Sequence, residues 1–183
     1  MNILMVAGIA LLFFHSTEFL LNGYFHHKWE WKAFLISIPY LLVLSISIGE
    51  YYVESYFFPV IKSAWPLKWL GLAGIVLGQN LRWYAVIHAR HAFTHLVRTS
   101  PGENHHLVTT GPYSYVRHPG YLGFFIWAVS IQLMLMNPFS FLLSCFILLK
   151  YFRSRIRYEE KYLVNFFGDA YLGYKEKIWS GMG

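Results

Sequence analysis

The sequence predicts an all-α fold: a polytopic transmembrane helical bundle of about five spans. Three observations lead there. Of the 183 residues 56% are apolar and 20% aromatic, while only 13% are charged, against about a quarter charged in soluble domains. The apolar residues gather in long runs, as lipid contact requires and an aqueous surface does not. The basic residues flank those runs instead of forming a continuous stripe.

The first run, 1–22, has no basic segment before it and no small-residue cleavage site after it. It therefore reads as a span and not a signal peptide. His15 and Glu18, spaced to pair at i, i+3, lie near its end. After a polar turn comes the second run, 33–58, in which Glu50 and Glu54 share a helix face. Pro59 and Pro66 bracket a short connection. The third span, 67–89, carries Gly71, Gly74 and Gly78 on one side, a small-residue stripe that admits a second helix backbone. Arg82 sits within this span, and an intramembrane cation turns to the bundle interior. Glu18, Glu50 and Glu54 are its candidate partners.

The loop 90–118 is the longest polar stretch, with turn markers at Pro101-Gly102 and Gly111-Pro112. The runs 119–136 and 138–151 are separated by Asn137 alone and predict a tight helical hairpin. The second run is short for a full span, so its helix is expected to continue out of the membrane. The remaining segment, 152–183, alternates charged with aromatic and aliphatic residues. All of this reads as a single membrane-embedded domain, 1–183.

Charge sets the orientation. The connection 59–66 holds Lys62 only, whereas 90–117 holds Arg90, Arg98 and Arg117 and the tail adds Lys150, Arg153, Arg155, Arg157, Lys161, Lys175 and Lys177. These two basic segments flank the hairpin, so they share a side, which the positive-inside rule makes cytoplasmic. The net charge of +6 fits anionic headgroups beside the spans; with no basic stripe, no nucleic-acid partner is expected. The single Cys145 builds neither a disulfide framework nor a zinc site. His88, His91 and His95 lack the intervening Glu of an HExxH zinc helix, so no metal is expected. No G-x-G-x-x-G appears, which leaves a soluble Rossmann fold unsupported.

Two constellations carry chemistry. Around 105–123, polar and aromatic residues lead into a helix whose first-turn proline is Pro119. The unpaired N–H groups behind it could receive a carboxylate. The alternative is a set of interfacial anchors. The second constellation is Arg153, Arg155, Arg157, Glu159 and Glu160. Arg155 and Glu159 are four apart, which fits an intrahelical ion pair. Arg155 at the lipid edge also suits bidentate capture of a carboxylate.

The pattern H-x-L-V-x-x-G-x-Y-x-x-x-R-H-P-x-Y-x-G, spanning His105 to Gly123, resembles the isoprenylcysteine carboxyl methyltransferase (protein-S-isoprenylcysteine O-methyltransferase) family, in its eukaryotic branch. So do Phe152 to Arg155, Glu159-Glu160, Phe166-Phe167-Gly168 and Tyr171-Leu172 with Tyr174. Phe14 to Phe19 resembles the family's early span, so the likeness covers almost the whole chain. The resemblance implies S-adenosylmethionine as cofactor, in a cytoplasmic cofactor pocket with contacts at His105, His106, Leu107, Val108, Tyr113, His118, Pro119, Gly120, Tyr121 and Glu159. Arg98 stands where some relatives carry a cofactor-touching Gln and is kept in that set, while Arg157 and Tyr158 replace part of a glutamate run. Arg155 matches the family's substrate-contacting Arg, and Arg82 a second functionally sensitive one. The implied partners are the lipid bilayer and the C-termini of prenylated CaaX proteins, and the implied location is the endoplasmic reticulum membrane.

The implied reaction esterifies a carboxylate that is already ionised at neutral pH, so no general base is needed. The protein's task is placement and exclusion of water. A prenyl tail entering between helices adds about 0.8 kcal/mol per buried CH₂. Rival readings are methylation of a phospholipid amine, for which a cation at Arg155 is unsuited, and a non-catalytic lipid-binding protein.

Overall fold

The computed structural model describes residues 2–182 except Lys28, Glu30, Ala64, Arg98 and 101–105. Among the described residues the regular structure is helical, apart from one isolated bridge between Val116 and Trp179. Helix α1 spans Ile3–His26. Its first turn is capped by the Asn2 side chain, whose oxygen accepts from the Leu4 amide at 3.1 Å. It stops at His27, which takes the left-handed conformation.

Helix α2 spans Ile38–Phe57, later than the apolar run predicts. The physical reason is local: Leu35 adopts a positive φ, and Ser37 then caps the new helix. A short turn, α3 (Pro59–Lys62), leads to α4 (Trp65–Ala89). After the loop come α5 (Pro119–Leu135), α6 (Pro138–Phe167) and α7 (Asp169–Lys177). At about 1.5 Å per residue, the 30 residues of α6 reach about 45 Å, beyond a hydrocarbon layer of about 30 Å. The helix therefore carries its charged half, from Lys150 onward, out past the apolar one.

Helix α1 alone among the described helices is long and apolar enough by itself to cross a membrane, and α5 is apolar but shorter. The polar residues that interrupt α2 and α4 are largely turned inward. Lys62 is buried, pairs with Glu54 at 2.7 Å, and donates to the carbonyls of Leu135 and Met136. Glu50 accepts from the amides of Phe139 and Ser140 at 2.7 and 2.8 Å, which caps α6 and complements its dipole. Buried Asn137 donates to the Ser47 carbonyl at 2.8 Å. The hairpin turn is thus held by groups from α2 and α3. Large apolar side chains face outward instead, among them Leu12, Leu42, Leu70, Leu142 and Phe146. So many exposed large apolar side chains suit contact with lipid and not with water.

The tightest packing is α4 against α5, where the glycine stripe lies. A Cβ on Gly78 would stand 2.5 Å from the Trp127 amide nitrogen and 2.7 Å from the Gly123 carbonyl oxygen. Backbone cannot yield as a side chain can. Gly78→Ala is expected to lose about 3 kcal/mol, the upper end of the over-packing range, seen as a lower unfolding midpoint in detergent. An unchanged midpoint would mean the two helices separate freely. Next to this seam, Phe14 stacks on Trp127 at 4.1 Å between ring centroids. This core fixes α1, α4 and α5 beneath the site.

Candidate active site

One cavity opens at the end of the bundle where the polar loop and the tail meet. Ala89 and Phe93 form one wall, and the stretch His106, Leu107 and Val108 another. Tyr113 from the turn Gly111–Ser114, the first turn of α5, and Glu159, Leu163, Tyr171 and Tyr174 complete it. The sequence-predicted residues His106, Leu107, Val108, Tyr113, His118, Pro119, Gly120, Tyr121 and Glu159 all line this one space. Arg98 and His105 lie outside the described residues. No three His, Cys, Asp or Glu side chains gather as a metal set among the described residues.

Proline at N1 starts α5, with His118 before it. The expectation of unpaired amides behind Pro119 needs correction. The Tyr121 and Leu122 amides already donate to the His118 carbonyl at 3.1 and 3.2 Å. What the helix start offers the cavity is mainly side chains.

The loop is fastened to the tail. The Arg117 amide donates to the Trp179 carbonyl at 2.8 Å, and that of His118 to Ser180 at 3.3 Å. Arg153 holds the Met182 carbonyl at 2.8 Å, and Met182 is buried against Phe152 and Ile156. The two basic segments therefore lie at the same end of the bundle.

Glu160 is the centre of that attachment. It accepts from Arg117 at 2.8 Å, Lys175 at 2.7 Å and His118 at 3.3 Å. Burial pushes its carboxyl up, but hydrogen bonds from His118, Lys175 and Arg117 outweigh this and hold it far below the usual carboxylate range. A depressed folded pKa contributes stability that is full above the unfolded value near 4.5 and lost as pH falls below it. Glu160→Gln is expected to lower the unfolding midpoint at pH 7 and to flatten its fall below about pH 4.5. An identical acid profile in wild type and variant would assign that fall to other carboxylates. Burial likewise pushes the Tyr113 hydroxyl above the ordinary tyrosine value and that of Tyr174 up to about 12. Both are neutral at physiological pH.

Arg155 sits just behind the cavity. Its Nε donates to the Tyr121 hydroxyl at 2.8 Å, and its Nη2 donates to the His95 carbonyl. The Tyr121 hydroxyl in turn donates to Glu159 at 2.5 Å. The i, i+4 ion pair expected between Arg155 and Glu159 is thus replaced by a bridge through Tyr121.

Arg82 is deeper. It grips Glu18 through both oxygens, at 2.9 and 2.8 Å, and donates to the Gly120 carbonyl at 3.1 Å. Both side chains are nearly inaccessible, 4% and 1% exposed. Its fork is engaged by a protein carboxylate, which suits a positioning role better than direct capture of substrate. Sequence reasoning weighed His95 only as a metal ligand and missed its pairing with Glu18, to which its Nε2 donates at 2.7 Å. It also missed the pairing of His15, which bonds the Phe34 carbonyl and Tyr40 hydroxyl at 2.6 and 2.7 Å, not Glu18. The isolated Glu18 in an apolar run was the available signal.

An all-helical bundle with an apolar exterior and a charged, aromatic-walled cavity at one end defines a membrane-embedded protein with a site for a polar ligand. The comparisons give the family. The model of the isoprenylcysteine carboxyl methyltransferase family matches residues 69–165. Protein-S-isoprenylcysteine O-methyltransferase B of Arabidopsis thaliana is 42% identical, with 95% of this chain and 89% of the relative covered. The Saccharomyces cerevisiae protein-S-isoprenylcysteine O-methyltransferase is 41% identical, with 95% of this chain and 77% of the relative covered. A solved eukaryotic intramembrane Ras methyltransferase superimposes with a TM-score of 0.95 at 33% identity, covering 98% of this chain and 66% of that one. The chain belongs to the isoprenylcysteine carboxyl methyltransferase family and is an integral membrane protein.

Proposed function

We propose that this chain methylates the C-terminal prenylcysteine carboxylate of prenylated CaaX proteins, with S-adenosylmethionine as methyl donor. The observation that carries this reading is the adjacency of two unlike half-sites. An aromatic, carboxylate-bearing cavity stands one tyrosine hydroxyl away from the guanidinium of Arg155.

The cavity fits the donor chemically. Glu159 offers an acceptor for hydroxyl or ammonium groups, Phe93 offers a face for a planar base, and the backbone of His106, Leu107 and Val108 offers groups for hydrogen bonding. His118, Pro119, Gly120 and Tyr113 close it, and the family resemblance adds Arg98 and His105 as proposed cofactor contacts. When bound, S-adenosylmethionine supplies an electrophilic methyl group. The chain's own part is to orient the carboxylate through Arg155 and to keep water from it. Arg82 supports the floor through Gly120. The neutral tyrosines are no obstacle, because the nucleophile arrives ionised.

We further assign five crossings, at 1–22, 38–57, 67–89, 119–136 and 138–151, with the cavity facing the cytoplasm. The common end occupied by both basic segments supports this orientation. An endoplasmic reticulum location accords with it.

Binding of S-adenosylhomocysteine to purified protein tests the cavity assignment. Glu159→Gln keeps the shape and removes the charge, and a charge-assisted hydrogen bond contributes about 1.5–3 kcal/mol. A rise in Kd of about tenfold or more is expected. An unchanged Kd would remove Glu159 from the cofactor site.

A further inference from the structure

We infer that the Tyr121 hydroxyl is a positioning group that sets the guanidinium of Arg155 for the prenylcysteine carboxylate, apart from its ring's place in the cofactor cavity. The inference rests on the proposed reading of Arg155 as the carboxylate anchor.

The Tyr121 ring cannot drift. It lies nearly parallel to His118, with 5.6 Å between centroids and 9° between planes, and against Phe152 at 5.1 Å and 22°. Its hydroxyl is therefore a fixed point, held further by the 2.5 Å bond to Glu159. Arg155 is a long side chain with many rotamers, and ordering it requires several contacts. Tyr121 provides two of them. The hydroxyl accepts from Nε at 2.8 Å, and the guanidinium carbon stands 5.5 Å from the ring centroid.

The bonding pattern divides the guanidinium into two sides. Nε and Nη2 are engaged by the Tyr121 hydroxyl and the His95 carbonyl. Nη1 has only a 3.4 Å contact with the Tyr151 hydroxyl. A planar fork held along one edge presents its other edge, Nη1 with the second hydrogen of Nη2, in a defined direction. That edge is the one matched to the two oxygens of a carboxylate.

The test is Tyr121→Phe, which keeps the ring and deletes only the oxygen, measured in purified full chain alone and combined with Arg155→Lys. Initial rates with N-acetyl-farnesylcysteine are read beside S-adenosylhomocysteine affinity and the unfolding midpoint. Tyr121→Phe is expected to lower kcat/KM for the prenylcysteine by about 10- to 100-fold, as misplacement of a reacting group does. Cofactor affinity should stay within about threefold, and the midpoint should fall only modestly, because two hydrogen bonds are lost while the ring contacts remain. If the hydroxyl acts through Arg155, the double variant should be no slower than Arg155→Lys alone. Multiplying losses in the double variant would overturn the inference, as would near-normal turnover of Tyr121→Phe. A tenfold loss of cofactor affinity would overturn it too, by making the hydroxyl a cofactor contact. Wild-type protein without prenylcysteine turnover would overturn the underlying reading and this inference with it. Normal wild-type turnover combined with multiplying losses would overturn the inference alone.

Discussion

Glu18→Ala is expected to destabilise the fold by about 3–5 kcal/mol, the range for breaking a buried ion pair. The variant leaves the Arg82 guanidinium, 4% exposed, without its carboxylate in the middle of the bundle. It also removes one of the two partners of the His95 imidazole, leaving only Asn22. Replacing both partners by apolar residues removes the orphaned charge, so Glu18→Leu with Arg82→Met should recover part of the loss. Unfolding midpoints in one detergent would show this. A Glu18→Ala midpoint equal to wild type would mean that the pair is solvated and does not tie α1 to α4.

Arg155→Lys is expected to cut turnover with a farnesylcysteine substrate by on the order of 10²-fold, with cofactor affinity retained. Lysine keeps the charge and loses the planar fork. Here it would also lose the paired contacts to the Tyr121 hydroxyl and the His95 carbonyl, because an ammonium cannot span both from one rigid plane. An exposed surface charge would behave otherwise, since its contribution is typically below about 1 kcal/mol. Initial rate and cofactor affinity measured together distinguish these. Near-normal turnover would release Arg155 from the substrate site.

Much of the fold was legible because its signals are local. The spacing of Gly74 and Gly78 marks a close helix contact, and a Cβ on Gly78 would meet the α5 backbone. Asn137 followed by Pro138 marks the turn and the new helix start. The cavity-lining set from His106 to Tyr121 came from the family resemblance, which a nearly contiguous motif carries. The partners were not legible. Arg82 had three candidate acids in the sequence, and its choice of Glu18 depends on how α1 lies against α4. Glu50 and Glu54, the other two, cap α6 and hold Lys62, roles that only the tertiary arrangement assigns. The local i, i+4 rule favoured Arg155 with Glu159. It failed there because the Tyr121 hydroxyl, from another helix, reaches both. The start of α2 was misjudged for a related reason: hydrophobicity continues through Ala33 to Ile36, while Leu35 and Ser37 break the backbone pattern.

The central claim is a carboxylate methyl transfer, and the nature of the new bond tests it most directly. Purified protein in lipid would be incubated with methyl-labelled S-adenosylmethionine and N-acetyl-farnesylcysteine, and the labelled product treated with base. A carboxyl methyl ester releases its label as methanol, whereas a methylated amine does not. The account predicts label transfer that requires the prenylcysteine and is released completely by base. Base-stable label on lipid, or no transfer by folded protein that binds the cofactor, would contradict it.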